Sequence, residues 1–493
     1  MRLSKMFKDA PTINVTGLSF DSRTIKKDNV YFCLPGLKTD GHEFADAAVD
    51  NGAIAVVHSK PIENKRPGAI YLRVADVNQA MNQAARIFYK SPTDSLLMYG
   101  VTGTNGKSTI SNIIRYLQNP TLSCGYIGTI AIAYGNKTLT PNLTTPDAIF
   151  LQETLSDMVQ AGMKACALEV SSHGLAQGRV DAIDFDVAIF TNFTYDHLDF
   201  HGTMENYFEA KTILFKDRVK PKGLCILNVD DGRYEDLRAV CAAPVITYGI
   251  NQNADYRALD IHLSTEGTSF ILHHGSESWP IQTNLVGEFN VYNLLAAIAA
   301  VHERGGVFME DIVALCRDIP QVAGRMEQIK EGQPFNVIVD FAHTPDGMEQ
   351  MMKLGRAITK PEGHLIAVFG SAGQRDKPKR KVFGQLADKY CDSVFLTEDD
   401  PRDEDPKEIA EEIRSGIKEI NSTFISDRYE AIRQTIETAQ AGDTVLILGK
   451  GDEPFMYSET GRTPWIGDNK AARECIERIY PKKDAEKTEQ SAA

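Results

Sequence analysis

The chain has 493 residues, 42% hydrophobic and 24% charged, with a formal net charge of -14. That length suggests roughly two to four domains, and the balance of apolar and charged residues is that of a folded enzyme rather than a disordered chain. The acidic balance argues against general nucleic-acid binding, because no excess of Lys and Arg exists to neutralise phosphates.

The eight cysteines are scattered without a Cys-x-x-Cys pair, so neither a zinc ribbon nor a dithiol centre is suggested. No apolar leader and no stretch of roughly 18 apolar residues is seen, so neither export nor a membrane span is expected. The expectation is a cytoplasmic enzyme.

In chain order, residues 1–92 read as a small α/β domain. A strand-like run at 30–34 is followed by the turn-rich segment 35–42; helical patterns at 43–51 and 78–89 alternate with apolar runs at 53–57 and 70–74. Asp21-Ser22-Arg23 reads as a polar turn, and 90–95 as a linker.

Residues 93–322 form the central unit, organised around Gly103-Thr104-Asn105-Gly106-Lys107-Ser108-Thr109. An apolar run at 96–99 leads in, and Ile110, Ile113, Ile114 and Leu117 lead out at helical spacing. A glycine-rich loop between strand and helix offers backbone N–H groups and a helix N-terminus to phosphate. Lys107 is placed to reach the β- and γ-phosphates, and Ser108 to ligate Mg²⁺. The spacing departs from the standard P-loop, since Val101 stands where its first Gly would be. Further apolar runs close on polar residues, the pattern of a parallel sheet with its site at the strands' carboxyl ends. Glu169, His173, Asp196, His197, Asp199 and His201 cluster near such ends. Carboxylate and imidazoles beside a phosphate loop suit a second divalent cation, and His173, Asp199 and His201 read equally well as hydrogen-bonded structural residues. From the residues alone Lys211 reads as a surface lysine. Asn290 and Asn293, three apart on a helix, both have amides able to read a purine edge, or Asn290 caps the helix.

Residues 323–481 alternate strand and helix: strands are expected at 336–341, 365–370, 393–397, 423–426 and 444–449, a doubly wound parallel sheet. Polar clusters follow three of them, at 370–376, 398–403 and 449–453. The first lacks the full dinucleotide spacing, so NAD binding is rejected. Arg375 is suited to a bidentate carboxylate contact, and Asp399, Asp400 and Glu453 to an ammonium. Arg402 is open to a simple salt bridge with Asp403 or Glu404. Residues 482–493 are polar and read as a disordered tail.

Thr102-Gly-Thr-Asn-Gly-Lys-Ser108, Leu168-Glu-Val-Ser-Ser-His-Gly174, the run from Asn192 to Gly202, Gly287-Glu-Phe-Asn-Val-Tyr-Asn293, Gly324-Arg325 and Asp340-Phe-Ala-His-Thr-Pro-Asp346 together resemble the Mur ligases of bacterial cell-wall synthesis, over nearly the whole chain and in the same order. Asp399-Asp400-Pro401-Arg402 and the Arg375 loop resemble the MurE type, which joins a diamino acid to UDP-N-acetylmuramoyl-L-alanyl-D-glutamate. The resemblance implies three α/β domains: a UDP-substrate domain at 1–92, a P-loop parallel-sheet ATPase domain at 93–322 and a Rossmann-like amino-acid domain at 323–481. It implies ATP, Mg²⁺ and an acyl-phosphate route to an amide.

By the same resemblance Ser108 and Glu169 hold one Mg²⁺, while His197 and Lys211 help hold a second; the family's lysine matching Lys211 is carbamylated, which would make it an oxygen ligand. Asn290 and Asn293 approach adenine, and Arg325 and Asp340 the phosphate and ribose. Ser22, Asp40, Gly41 and His42 meet the uridine diphosphate end; Thr144, Thr145, Ser171, Gln177 and Arg179 meet the muramoyl peptide. Arg375, Asp399, Asp400, Arg402, Gly449 and Glu453 form the amino-acid pocket. Many relatives have Asn directly before the Thr pair, where Leu143 stands here, and Asn rather than Asp400. The expected partners are the UDP-muramoyl dipeptide and a diamino acid, meso-diaminopimelate in the favoured reading and L-lysine in the alternative, bound by a monomer. More distant alternatives are a folylpolyglutamate-synthetase-like ligase and a regulatory protein that binds ATP without chemistry.

Overall fold

A computed structural model of the chain describes residues 1–36 and 39–481. The expected tail at 482–493, together with Leu37 and Lys38, lies outside the described residues. The chain builds three α/β domains, gathered into two compact units: Met1–Thr191, Phe208–Tyr256 and Leu295–Ile312 in the first; Asn192–Tyr207, Arg257–Leu294 and Val313 onward in the second.

In the first unit, a four-stranded parallel sheet runs in the order Gly17–Ser19, Asn29–Phe32, Ala53–His58, Ile70–Arg73. Its core, including Val30, Phe32, Ala55 and Val57, also takes in Ala148 and Ile149 of the central domain. The segment expected to be a linker is instead a packed turn. Lys90 and Ser91 adopt positive φ of 65° and 50°, and Pro92 and Thr93 are buried at the start of a 3-10 turn. The helix Val77–Phe88 is tied to the central domain by Asn82 Nδ2 donating to Gly178 O (2.9 Å) and Arg86 pairing with Asp184 (2.9 Å).

The central sheet of this unit runs Val245–Gly249, Val219–Asn228, Phe185–Phe190, Leu97–Thr102, Ala165–Glu169, Cys124–Ile127, all parallel. Ile132–Tyr134 and Lys137–Leu139 then add antiparallel edge strands, making a mixed sheet where a parallel one is expected from the apolar runs. Apolar runs report burial on both faces, not strand direction, so this reversal leaves no mark in the pattern. The phosphate-loop strand Leu97–Thr102 lies between Phe185–Phe190 and Ala165–Glu169, and its Val101 pairs with Glu169. That register sets the carboxylate beside the loop.

In the second unit, a hairpin of Thr268–His274 and Glu277–Thr283 precedes a six-stranded sheet. Its order is Glu327–Gln328, Asn336–Asp340, Thr444–Leu448, Leu365–Phe369, Ser393–Leu396, Asn421–Phe424, parallel except for the short first strand. Alternate residues feed two cores. Ile338, Ala367, Leu446 and Leu448 face one with Met348, Phe383 and Ile409; Val337, Val339, Ile366, Val368, Val445 and Ile447 face the other with Ile432, Ala471 and Cys475. This period of two on both faces is the physical content of a doubly wound sheet. The last strand, Thr444–Leu448, inserts between the first and second long strands, so their polar loops converge at the carboxyl ends where the order reverses.

Candidate active site

The phosphate loop is shaped by its backbone. Helix Lys107–Gln118 begins at Gly106, whose φ of 88° is a left-handed conformation that a side chain would disfavour. Lys107 Nζ folds back to donate to Gly103 O (3.0 Å) and Thr104 O (2.8 Å). Thr191, just past the end of Phe185–Phe190, donates through Oγ1 to Asn105 O at 2.6 Å. Thr191 O is in turn held by Asn228 Nδ2 at 2.9 Å. Ser108 is buried in the first helical turn. Lys211 is 1% exposed, and its Nζ donates to Gly103 O at 2.8 Å. The reading of Lys211 as a surface residue is therefore corrected. A lone lysine in a short helical stretch gives no local sign that the loop more than a hundred residues earlier covers it.

Glu169 has no exposed surface. Its Oε1 accepts from Tyr126 OH (2.5 Å) and Thr129 N (3.0 Å), and its Oε2 from Thr129 Oγ1 (3.1 Å). All these donors are neutral, and among the described residues Glu169 makes no ion pair. A buried carboxylate normally needs a cationic partner. This donor set therefore fits a divalent cation at Glu169, and Ser108 is the second oxygen that the resemblance implies for it. Lys211 fits a metal only as its carbamate, because an ammonium has no lone pair to give.

The residues implied for the muramoyl peptide come together. Thr145 Oγ1 donates to Glu169 O (2.8 Å) and receives Ser171 N (2.9 Å). Arg179 donates to Thr145 O (2.8 Å) and to Gln177 Oε1 (2.6 Å). Thr129 Oγ1 lies 3.0 Å from Thr144 Oγ1. Burial pulls Arg179 below its ordinary range, with Asp147 opposing. In the first domain, Asp40 binds His42 Nδ1 (2.6 Å), while His42 Nε2 accepts from Ser59 N (3.1 Å) and Lys60 N (3.2 Å). The Lys60 ammonium, then His42, hold the Asp40 carboxyl far below the usual range. Ser22 is buried in a 3-10 turn capped by Asp21.

The second unit carries the remaining candidates, His197 among them. His197, at a φ of 54°, has its Nε2 3.2 Å from Asp196 Oδ2. Burial alone would raise Asp196, but His197, His343 and Lys379 outweigh it and hold the carboxyl low. Burial pushes both His343 and Lys379 down, and Lys379 Nζ donates to His343 O at 3.0 Å. His201 packs its ring 5.1 Å from Tyr207, and Asp199 pairs with Arg375 at 2.6 Å. Arg375 thus already holds a carboxylate of this chain. His343 lies within the motif at 340–346, where the resemblance implies no role for it, and Lys379 carries no sequence signal beyond membership of a polar stretch.

Asn290 lies inside the first turn of helix Glu288–Gly305, so it is not the cap. Its Nδ2 donates to Val286 O (2.9 Å), and its Oδ1 accepts from Asn293 Nδ2 (3.0 Å). Each amide keeps one further N–H. Asp340 accepts from Met326 N (2.6 Å) and Ala342 N (2.7 Å); burial raises it, against the Arg325 charge. Arg325 stacks 4.1 Å from the Phe341 ring centre, and its buried Nε has no hydrogen-bond partner among the described residues.

The pocket loops are tightly built. Gly449 has a φ of 117°, and a Cβ there would stand 2.3 Å from Asp399 Oδ2. Asp399 makes no ion pair among the described residues. Asp400 and Glu453, expected to receive a substrate ammonium, both hold Lys450, at 2.8 and 2.5 Å. Arg402 does not pair with Asp403 or Glu404. Glu404 is taken by Arg380 (2.9 Å) and Lys377 (3.0 Å), and Asp403 accepts from Gln374 (2.6 Å). Arg402 donates instead to Gly373 O (2.5 Å) and makes no ion pair among the described residues.

Residues 101–301 match the model of the Mur ligase middle domain, residues 324–451 that of the Mur ligase, glutamate ligase domain, and residues 14–89 that of the Mur ligase family, catalytic domain. The chain is 43% identical over 454 residues to UDP-N-acetylmuramoyl-L-alanyl-D-glutamate--2,6-diaminopimelate ligase of Geobacillus kaustophilus, covering 90% of this chain and 91% of the relative. It is 39% identical over 466 residues to the protein of that name in Halalkalibacterium halodurans, covering 94% of each. A solved structure of a protein of that name aligns with a TM-score of 0.68 at 34% identity, over 98% of this chain and 100% of the other. The chain belongs to the Mur ligase family. It is an enzyme, an amide-forming ligase of the ATP-dependent kind that defines that family. Among the described residues no helix is long and apolar enough to cross a membrane.

Proposed function

We propose that this chain joins meso-diaminopimelate to the D-glutamate carboxylate of UDP-N-acetylmuramoyl-L-alanyl-D-glutamate in peptidoglycan precursor synthesis, converting ATP to ADP and phosphate. The observation that carries this reading is its identity of about 40% over some 90% of the chain to several proteins named for that reaction. Arg402 supports the choice of amino acid: a guanidinium without an ion pair in the candidate pocket suits the second carboxylate of diaminopimelate. The acids that would favour L-lysine are less available than the sequence suggests, since Asp400 and Glu453 already hold Lys450. The folylpolyglutamate-type reading is disfavoured by the match over residues 14–89.

In this reading residues 1–92 and the Arg179 cluster hold the nucleotide-sugar substrate, 93–322 act on ATP, and 323–481 present the amino acid. Lys107 and the loop amides hold the phosphates, Asn290 and Asn293 approach adenine, and Arg325 and Asp340 approach the phosphate and ribose. Ser108 and Glu169 would hold one Mg²⁺, and His197 and carbamylated Lys211 would help hold a second; such ions would neutralise phosphate charge. A glutamate oxygen bonds to the γ-phosphorus as ADP leaves. The amine nitrogen, having lost its proton, then bonds to the acyl carbon, and phosphate leaves with the electrons of the C–O bond. Lys107 stabilises charge on the transferring group throughout. Because the substrates are nucleotides, the reaction belongs to the cytoplasm.

ADP release measured with the UDP-muramoyl dipeptide and each diamino acid in turn tests the reading. Turnover with meso-diaminopimelate is expected. No ADP release with any diamino acid would overturn it.

A further inference from the structure

We propose that Lys450 determines which diamino acid the C-terminal pocket accepts: its own ammonium fills the niche between Asp400 and Glu453 that the distal ammonium of a lysine substrate would otherwise occupy. This inference rests on the ligase reading above. Lys450 directly follows Gly449 at the end of strand Thr444–Leu448 and is 1% exposed. Its Nζ lies 2.8 Å from Asp400 Oδ1 and 2.5 Å from Glu453 Oε2. Burial pulls Lys450 down, but Glu453, Asp399 and Asp400 more than compensate, so it stays a cation at neutral pH. Asp400 Oδ1 is also held by Tyr457 N at 3.0 Å.

Beside this internal ion pair stand two further charges of one loop, Asp399, which also feels the Lys450 and Arg428 charges, and Arg402. Neither makes an ion pair among the described residues. Asp400 and Arg402 sit at positive φ, 46° and 55°, and Arg402 N donates to Tyr457 O at 2.9 Å, so the loop is held in one conformation. A zwitterionic end, carrying both a carboxylate and an ammonium, satisfies both of these charges. A side chain ending in an ammonium alone leaves Arg402 unanswered and brings it a like charge, while the acids that could compensate are taken. Displacing Lys450 to free them would strand a buried cation.

The test compares ADP release with meso-diaminopimelate and with L-lysine in the wild type, Lys450→Met and Lys450→Arg. Lys450→Met is expected to raise kcat/KM for L-lysine relative to meso-diaminopimelate by about tenfold or more. Lys450→Arg, which keeps the charge, is expected to retain the wild-type preference. Ammonium ion added to Lys450→Met should refill the niche and restore that preference, a response that a merely structural lysine would not give. Lys450→Gln keeps hydrogen bonding to both acids and removes only the charge, and carries the same expectation should Lys450→Met not fold. An unchanged ratio in the neutral variants, or a wild type that prefers L-lysine, would overturn the role of Lys450 while leaving the ligase reading intact. A wild type that releases ADP with neither amino acid would overturn the ligase reading itself.

Discussion

Beside the phosphate loop, Glu169 is a carboxylate with no exposed surface, held by Tyr126 and Thr129 and without an ion pair among the described residues. In the C-terminal candidate pocket one group of each sign is left over. Asp400, Glu404 and Glu453 are each matched by Lys or Arg, while Asp399 and the guanidinium of Arg402 make no ion pair among the described residues. An unbalanced acid suits a cation, and an unbalanced guanidinium suits a carboxylate. Under the proposed function the first region would take a metal ion, and the second the carboxylate and ammonium of an amino acid.

The most severe way to break this contrast is at Lys211, whose reading as a metal ligand requires its conversion to a carbamate. Lys211→Ala is expected to lower the rate of ADP release about a thousandfold. Short carboxylates added to that variant should restore part of the activity; unchanged turnover would remove Lys211 from the mechanism. Glu169→Gln tests the acid directly. It keeps the shape and most of the hydrogen bonding but removes the charge, so the Mg²⁺ concentration needed for half-maximal activity should rise by about 10- to 100-fold. A Mg²⁺ titration that superimposes on the wild type would show that Glu169 is only structural.

On the other side, Arg402→Ala is expected to raise KM for meso-diaminopimelate by about 10- to 100-fold, with a far smaller effect on L-lysine. Equal changes for both would mean that Arg402 shapes the loop rather than reads a carboxylate. The smallest effect is on stability. Arg380 first, then Gln374 N and Lys377, bring the Glu404 carboxyl down to about 2 against the opposing effect of burial. The folded value lies below the unfolded one of about 4.3. Its contribution is therefore present above the unfolded value and is lost as pH falls through the folded one. Glu404→Gln should flatten the loss of stability between about pH 4.3 and about pH 2, read by denaturant unfolding at each pH. A slope unchanged from the wild type would place the acid sensitivity elsewhere.

Legibility followed the distance along the chain over which a feature is built. The loop from Gly103 to Thr109 is contiguous, and its flanking apolar run and helical spacing are visible without a fold. The parallel strands of the C-terminal domain were readable for the same reason; 336–341, 365–370, 393–397 and 444–449 match the observed strands to within a residue, and the fifth is displaced by two. The roles of charged side chains were not readable in this way. Lys211, Lys379 and Lys450 look like ordinary lysines of an acidic chain, yet all three are buried, because segments remote in sequence close over them. The local pairing expected for Arg402 with Asp403 or Glu404 failed because Arg380, in the helix Pro378–Tyr390, and Gln374, in the loop before it, reach those acids first.

By itself the sequence determined the family, the order of the domains and the phosphate loop with its helix, since each rests on residue types at short spacing that constrain the backbone directly. The tertiary structure alone decided which charges are answered within the chain: among the described residues Glu169 and Arg402 make no ion pair, and Asp400 and Glu453 are closed on Lys450. The physical reason is that the charge balance of a site depends on distances of about 3 Å between groups brought together by folding, and residue order does not encode those distances locally.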